Sequence, residues 1–193
     1  MAQAELKPGP NHSRCGAFAC VILPLYPPVM QFPFAFAFMA VMIVAVPAAA
    51  QCTAAPAPGV DWRRCLLDRR DLRNADLTGA VLRDTSLQRA DLTGAKMVEV
   101  DAIDARMNSA KLEGANLTRA VLREADLTRA NLRKSTLREA DLRRARLFRA
   151  DLREADLTGA DLGGADLNGA DLSGATWIDG NRTCGAGSVG LCQ

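Results

Sequence analysis

Histidine is nearly absent from this chain, and aromatic rings are few. The one histidine is His12. Of the nine aromatic residues, Phe18, Tyr26, Phe32, Phe34, Phe36 and Phe38 precede residue 40, leaving Trp62, Phe148 and Trp177 for everything after residue 50. Three rings are too few for a mixed core built around large aromatic side chains, so something smaller fills the interior. Net charge is also small: 24 Lys and Arg against 22 Asp and Glu give +2 over 193 residues. That balance argues against both a strongly basic nucleic-acid binder and an acidic mimic. Removal of the segment that carries His12 leaves no imidazole, which excludes Ser-His and Cys-His catalysis and every histidine-containing metal site. The sequence also lacks a phosphate loop, a Cys-x-x-Cys pair and a hydrolase nucleophile elbow. The expectation is a protein that is not an enzyme, with no cofactor, no metal and no small-molecule substrate.

Charge is missing locally as well. No charged residue occurs from Cys15 to Val60, and Phe32 to Val46 is apolar apart from Pro33. Lys7 and Arg14 precede this run, and Ala48 and Ala50 follow it with the small-x-small spacing of a signal-peptide cleavage site. Residues 1–50 are therefore expected to be a signal peptide and Gln51 the first mature residue, with a periplasmic or secreted destination. The membrane enters only if the leader stays uncleaved, over roughly Val29 to Ala50, where Pro33 and Pro47 crowd the ends of a span of ~20 residues.

What the rest of the chain has in abundance is a period of five. Of the 23 positions reached by every fifth residue from 67 to 177, 19 are Leu, the others being Met97, Ala102, Met107 and Trp177. Two residues earlier, from 65 to 175, 18 of 23 are Ala, with Cys65, Arg70, Thr85, Val100 and Ser135 as exceptions. On an α-helix five residues advance ~500°, which spreads the leucines around every side and leaves no buried stripe. On a continuous strand the next Ala would point to the opposite face. The chain must instead turn a corner once per pentad, so that four corners close a square coil of four pentads and successive coils stack about 4.8 Å apart.

The run Ala75-Asp76-Leu77-Thr78-Gly79, repeated as Ala155-Asp156-Leu157-Thr158-Gly159, resembles the pentapeptide-repeat family. The resemblance implies an all-β solenoid, a right-handed quadrilateral β-helix of about 23 pentapeptide repeats over residues 63–179. Residues 51–62 are then an N-terminal cap and residues 180–193 a C-terminal disulfide-capped tail. Gly79, Gly94, Gly114, Gly159, Gly164, Gly169 and Gly174 stand last in their pentads, where a turn with positive φ favours glycine. Pentads ending in Arg or Glu are expected to use another turn. Lys96 to Ser109 departs from the pattern, with Val100 in an Ala slot and Ala102 in a Leu slot, and is expected to be a locally repacked or bulged coil. Trp62 and Trp177 are expected to plug the two ends of the core.

Four cysteines follow the leader: Cys52 and Cys65 before the stack, Cys184 and Cys192 after it. Cross-end pairing would ask sulfurs separated by ~27 Å of stacked coils to meet a Cα spacing of ~5.5 Å, so the expected disulfides are Cys52–Cys65 and Cys184–Cys192. The same separation excludes a four-cysteine zinc site. Residues one coil apart stack, which places Asp141 over Asp161 and Asp151 over Asp171, but a carboxylate pair is short of the six to eight oxygens that Ca²⁺ takes.

Charge sorts along the chain. Arg119 to Arg153 holds 11 basic and 5 acidic residues, whereas Glu154 to Asp179 holds 6 acidic and no basic ones. Sorted by face, Arg69, Arg89, Arg129 and Arg149 fall in one row, interrupted by Ser109, with Arg106 and Arg146 nearby. Such a row is a candidate ladder for a polyanion, and it also reads as a solvated face whose charges neighbouring acids relieve. Phe148 is the one ring available for stacking, which argues against nucleic acid. The expected function is a non-enzymatic exported interaction or scaffold module whose partner is a protein or an envelope polyanion. The alternative comes from family members that resemble duplex DNA and interact with gyrase; the equal count of 21 basic and 21 acidic residues over 61–180 and the leader argue against it.

Overall fold

A computed structural model describes residues 52–193, which lie in one compact unit, Val44–Gln193. The signal peptide expected over residues 1–50 and the start at Gln51 lie outside the described residues.

Each pentad repeats one hydrogen-bonded cycle. In the pentad of Leu77, the Ala80 N–H donates to the Leu77 carbonyl at 3.0 Å, closing a four-residue turn whose third residue, Gly79, has φ +66°. Positive φ at that place in a closed turn is the type II signature. One residue between turns is extended and pairs with its equivalent in the next coil: Asp76 bridges Lys96 in parallel. The Leu77 N–H donates to the Lys96 carbonyl at 2.7 Å, the Gly79 N–H to the Val98 carbonyl at 2.8 Å, and the Lys96 N–H to the Ala75 carbonyl at 2.9 Å. This register runs without a slip from Asp61↔Val81 to Asp156↔Thr176. The interior is the Leu row and the Ala row, buried except near the ends, where Leu162, Leu167 and Trp177 are half-buried and Arg70 is exposed, stacked so that neighbouring coils share one core.

Two expectations need correction. The all-β solenoid, the right-handed quadrilateral β-helix, does not describe the secondary structure: among the described residues there is neither a strand nor a helix, and every backbone pairing is an isolated bridge. The reason is the short period. A turn takes two residues of each five, and a single residue is extended and paired before the next corner, so no run is long enough to form a strand or a sheet. The second correction concerns the corners. Pentads ending in Arg or Glu do not use another turn: Arg64, Arg89, Glu99 and Glu154 stand at φ 59°, 57°, 57° and 59°, in the same left-handed region as the glycines. Any other corner would break the register between coils, so the backbone bonds of the stack impose this conformation at about 1–2 kcal/mol per side chain.

The irregular stretch Lys96 to Ser109 contains no bulge. Val100 and Ala102 are both fully buried, and Asp101 keeps its bridges to Val81 and Val121. Large and small have exchanged places within one pentad, flanked by Met97 and Met107, whose flexible side chains fill the irregular space.

The ends differ. Cys52 and Cys65 are joined with a Cα separation of 5.4 Å; Trp62 is completely buried, and its carbonyl accepts the Thr85 hydroxyl at 2.5 Å. At the other end Trp177 is only half-buried. There the tail folds back through antiparallel bridges Asp171↔Val189 and Thr176↔Thr183, fastened by Cys184–Cys192 with a Cα separation of 4.9 Å.

Candidate binding surface

The residue before each Leu is most often Asp or Asn, and its side chain serves its own corner. Asp76 Oδ1 accepts the Thr78 N–H at 3.1 Å and the Thr78 hydroxyl at 2.7 Å; Asp156 and Asp171 repeat the arrangement with Thr158 and Ser173. These local bonds favour the ionised carboxyl. The Thr78 hydroxyl and amide hold Asp76 below the ordinary carboxylate range. Where Arg replaces Thr two residues after the Asp, the guanidinium takes over: Arg73 chelates Asp71 at 2.7 and 2.9 Å, and this bond, with the Arg73 amide, pulls the Asp71 carboxyl down to about 2.

The stacked carboxylates are likewise tied. Arg143 lies against Asp141 at 2.7 Å and Asp161 at 3.5 Å. Arg153 does the same for Asp151 and Asp171, at 2.5 and 3.6 Å. Each pair therefore already holds a cation, and no group of acidic, histidine or cysteine side chains suited to a metal ion occurs among the described residues.

Cations on three sides of the stack are neutralised in this way. Arg63, Arg83 and Arg123 pair with Asp61, Asp101 and Asp141 on one side. Arg73 and Lys111 pair with Asp71 and Asp91 on the opposite side. Lys96, Arg119 and Arg138 pair with Asp76, Glu99 and Asp156 on the third. The fourth side is different. Arg69, Arg89, Arg106, Arg129, Arg146 and Arg149 are all exposed, and among the described residues none of them has a carboxylate within ion-pair distance. Arg70, at the adjoining corner, is unpaired and exposed as well. Arg149 lies over its neighbour Phe148, 5.1 Å from the ring centroid, and Arg69 and Arg89 line a shallow cleft with Asp68 and Gln88.

The structure brings Arg69, Arg89, Arg129 and Arg149 onto one side, in the last position of pentads that stack coil upon coil. The signal for their lack of ion pairs is in the sequence. Arg119 and Arg144 have Glu99 and Glu124 twenty residues earlier, one coil away, whereas the stacked neighbours of Arg69, Arg89, Arg129 and Arg149 within the repeat are Arg, Ser or Gly.

Residues 49–84, 65–101, 105–144 and 145–176 match the family described as Pentapeptide repeats. The chain belongs to the pentapeptide-repeat family. No curated protein matches this pentapeptide-repeat chain. Among solved structures it is similar to HetL, a pentapeptide repeat protein involved in heterocyst differentiation regulation from the cyanobacterium Nostoc sp. strain PCC 7120. The identity is 30%, covering 64% of this chain and 74% of HetL, with a TM-score of 0.39. A pentapeptide repeat protein from the Arabidopsis thaliana thylakoid lumen is 26% identical over 69% of this chain and 80% of its own, with a TM-score of 0.29. QnrB1, a plasmid-mediated fluoroquinolone resistance protein, is 22% identical over 61% of this chain, which spans about half (52%) of the QnrB1 chain, with a TM-score of 0.46.

Proposed function

We propose that this pentapeptide-repeat protein is an exported interaction module that presents the unpaired arginine side to an anionic partner, an acidic protein surface or an envelope polyanion. One observation carries the reading: cations on the other three sides, Arg70 at the corner excepted, are ion-paired, while Arg69, Arg89, Arg106, Arg129, Arg146 and Arg149 are not. Guanidinium groups stacked on neighbouring coils can grip carboxylate, sulfate or phosphate in two-pronged fashion. Export is supported by the uncharged leader with its small-residue cleavage pattern and by two cysteine pairs within bonding distance, which need an oxidising compartment to persist.

The test is retention on immobilised heparin at rising salt, comparing the parent with Arg129→Glu/Arg149→Glu. Both residues are exposed and unpaired, so the fold tolerates the change. The variant should elute at clearly lower salt; equal elution would remove the arginine side as the binding surface.

A second reading rests on the run from Glu154 to Asp179, with six acidic residues and no basic one. There the chain resembles the charge of duplex DNA and would engage gyrase. It would then do what QnrB1, a fluoroquinolone resistance protein, is named for. Protection of gyrase supercoiling against a fluoroquinolone by the purified chain, unaffected by the arginine reversals, would favour this reading over the first.

A further inference from the structure

The last coil, residues 161–180, bonds to the tail through the amides of two of its four sides. The Leu172 N–H donates to the Ser188 carbonyl at 2.8 Å, the Gly174 N–H to the Cys184 carbonyl at 2.9 Å, and the Trp177 N–H to the Arg182 carbonyl at 2.7 Å. On the sides of Leu162 and Leu167 this pairing stops. One coil earlier the Leu147 and Arg149 amides donate to the Asp166 and Asn168 carbonyls at 2.8 and 2.9 Å, whereas the Leu167 and Gly169 amides have no acceptor among the described residues. Gly190 of the tail lies beside them, but its own N–H donates to the Ala170 carbonyl at 2.8 Å and it accepts a bond from neither.

One of these free amides follows an asparagine. An asparagine carboxamide is attacked by the main-chain nitrogen of the next residue where that nitrogen is unbonded and unshielded by a Cβ. Asn168-Gly169 is the one Asn-Gly pair in the chain. The structure selects the same site independently. Among the described residues, the amide after every other asparagine is already donated: Ala75 to the Leu72 carbonyl at 3.1 Å, Ser109 to Thr128 at 2.9 Å, Leu117 to Thr136 at 2.7 Å and Leu132 to Asp151 at 2.8 Å, and Arg182 to Asp179 Oδ1 at 3.0 Å. Asn168 is exposed, and its carboxamide is held by a single bond, from Nδ2 to Asp166 Oδ1 at 2.7 Å.

We propose that Asn168 is a site of spontaneous covalent modification, converted through a cyclic imide to an aspartyl or isoaspartyl residue. The Gly169 nitrogen, its proton given up to solvent, bonds to Asn168 Cγ; the Cγ–Nδ2 bond breaks, and Nδ2 leaves as ammonia with a proton returned from solvent. Water then opens the ring, at Cγ to give the aspartyl product or at the main-chain carbonyl to give the isoaspartyl one. Water is the only co-reactant, and nothing is oxidised or reduced. Ring closure has to turn the peptide plane between Asn168 and Gly169. In interior coils the equivalent plane is held from both sides: the Arg89 N–H donates to the Asn108 carbonyl at 3.1 Å and the Ser109 N–H to the Thr128 carbonyl at 2.9 Å. At Asn168 only the carbonyl is held, by the Arg149 N–H at 2.9 Å. The product adds a negative charge one coil beyond Arg146 and Arg149. The chemistry asks no arginine to bind anything, so it stands apart from the function proposed above.

The test uses the full, disulfide-bonded chain carrying Ser109→Gly, which places a second Asn-Gly pair in an interior coil. Ser109 already stands at φ 57°, so glycine fits there without strain. During incubation in warm, mildly alkaline buffer, peptide mapping by mass spectrometry should find the mass gain of an NH2-to-OH exchange at Asn168, with aspartyl and isoaspartyl isomers separating on chromatography. Conversion at Asn108 should be slower by about tenfold or more, because it waits for an interior coil to open locally. With the chain unfolded in urea and its bridges reduced, both sites should convert alike, so the difference in the folded chain reads the structure. Equal rates in the folded chain would overturn the proposal, as would a difference that persists in urea, or an Asn168 that stays intact while the unfolded chain converts.

Discussion

At the scale of the residue, the corner decides what each position tolerates. The third residue of every turn from Arg64 to Gly174 is left-handed, a conformation that costs any side chain about 1–2 kcal/mol. Gly114 has φ +65° and open space where a Cβ would go. Gly114→Ala should therefore show the backbone cost alone, lowering stability by about 1 kcal/mol in denaturant unfolding. The Asp before each Leu sets the acid limit. Asp71, held near 2 by Arg73, and Asp76 and Asp141, held low by Thr78 and Arg143, have folded values below the unfolded value of about 3.9. Their contribution is present above that value and is lost as pH falls through the folded ones. Thermal unfolding followed from pH 8 down to pH 2 should thus show a midpoint that holds through neutrality and drops between about pH 4 and 2. A flat midpoint across that window would mean the corner bonds are absent in solution. Seven of these corners are legible as glycine in the sequence, and Asn74, Asp84 and Asp104 are of the types that tolerate positive φ; those filled by Arg, Glu, Lys or Ser are not legible, because such residues carry no mark of φ and take the left-handed value only under the backbone bonds of the neighbouring coils.

At the scale of the element, the unit is the pentad, and its volume is conserved even where its pattern is not. Val100 and Ala102 exchange large for small inside one pentad while both stay fully buried. Restoring the regular order one residue at a time should fail where restoring both succeeds. Ala102→Leu alone overpacks and should cost about 1–3 kcal/mol; Val100→Ala alone opens a cavity and also costs stability. The double variant should return to within about 1 kcal/mol of the parent, giving a coupling energy that unfolding of all four proteins measures directly. Additive losses would show that the two slots do not share space. The expected all-β class failed at this scale. The Ala and Leu rows predict which side chains turn inward, and they do; whether the residue between them belongs to a strand depends on how many consecutive residues stay extended, and the closed turn limits that number to one.

At the scale of the whole molecule, the repeated stack needs its ends held and its sides distinguished. The Cys52–Cys65 and Cys184–Cys192 bridges close 13 and 8 residues of chain, each worth about 2.5–3 kcal/mol by loop entropy. Replacing Cys184 and Cys192 by Ser should lower stability by about that amount. It should also speed amide exchange at Leu172, Gly174 and Trp177, whose acceptors lie in the tail, before the interior is affected. Uniform loss across the stack would instead make the tail part of one cooperative unit. By itself the sequence determined the period, the inward rows, the corner glycines and the face on which each outward residue stands, because a strict repeat of five with no insertion leaves only one way to bury so many leucines. It did not determine the left-handed corners under charged residues, the absence of strands, the neutralisation of three sides or the half-open end. Those depend on groups in neighbouring coils, such as Arg83 with Asp101 and Arg119 with Glu99, and only the stacking of one coil on the next brings such groups within reach.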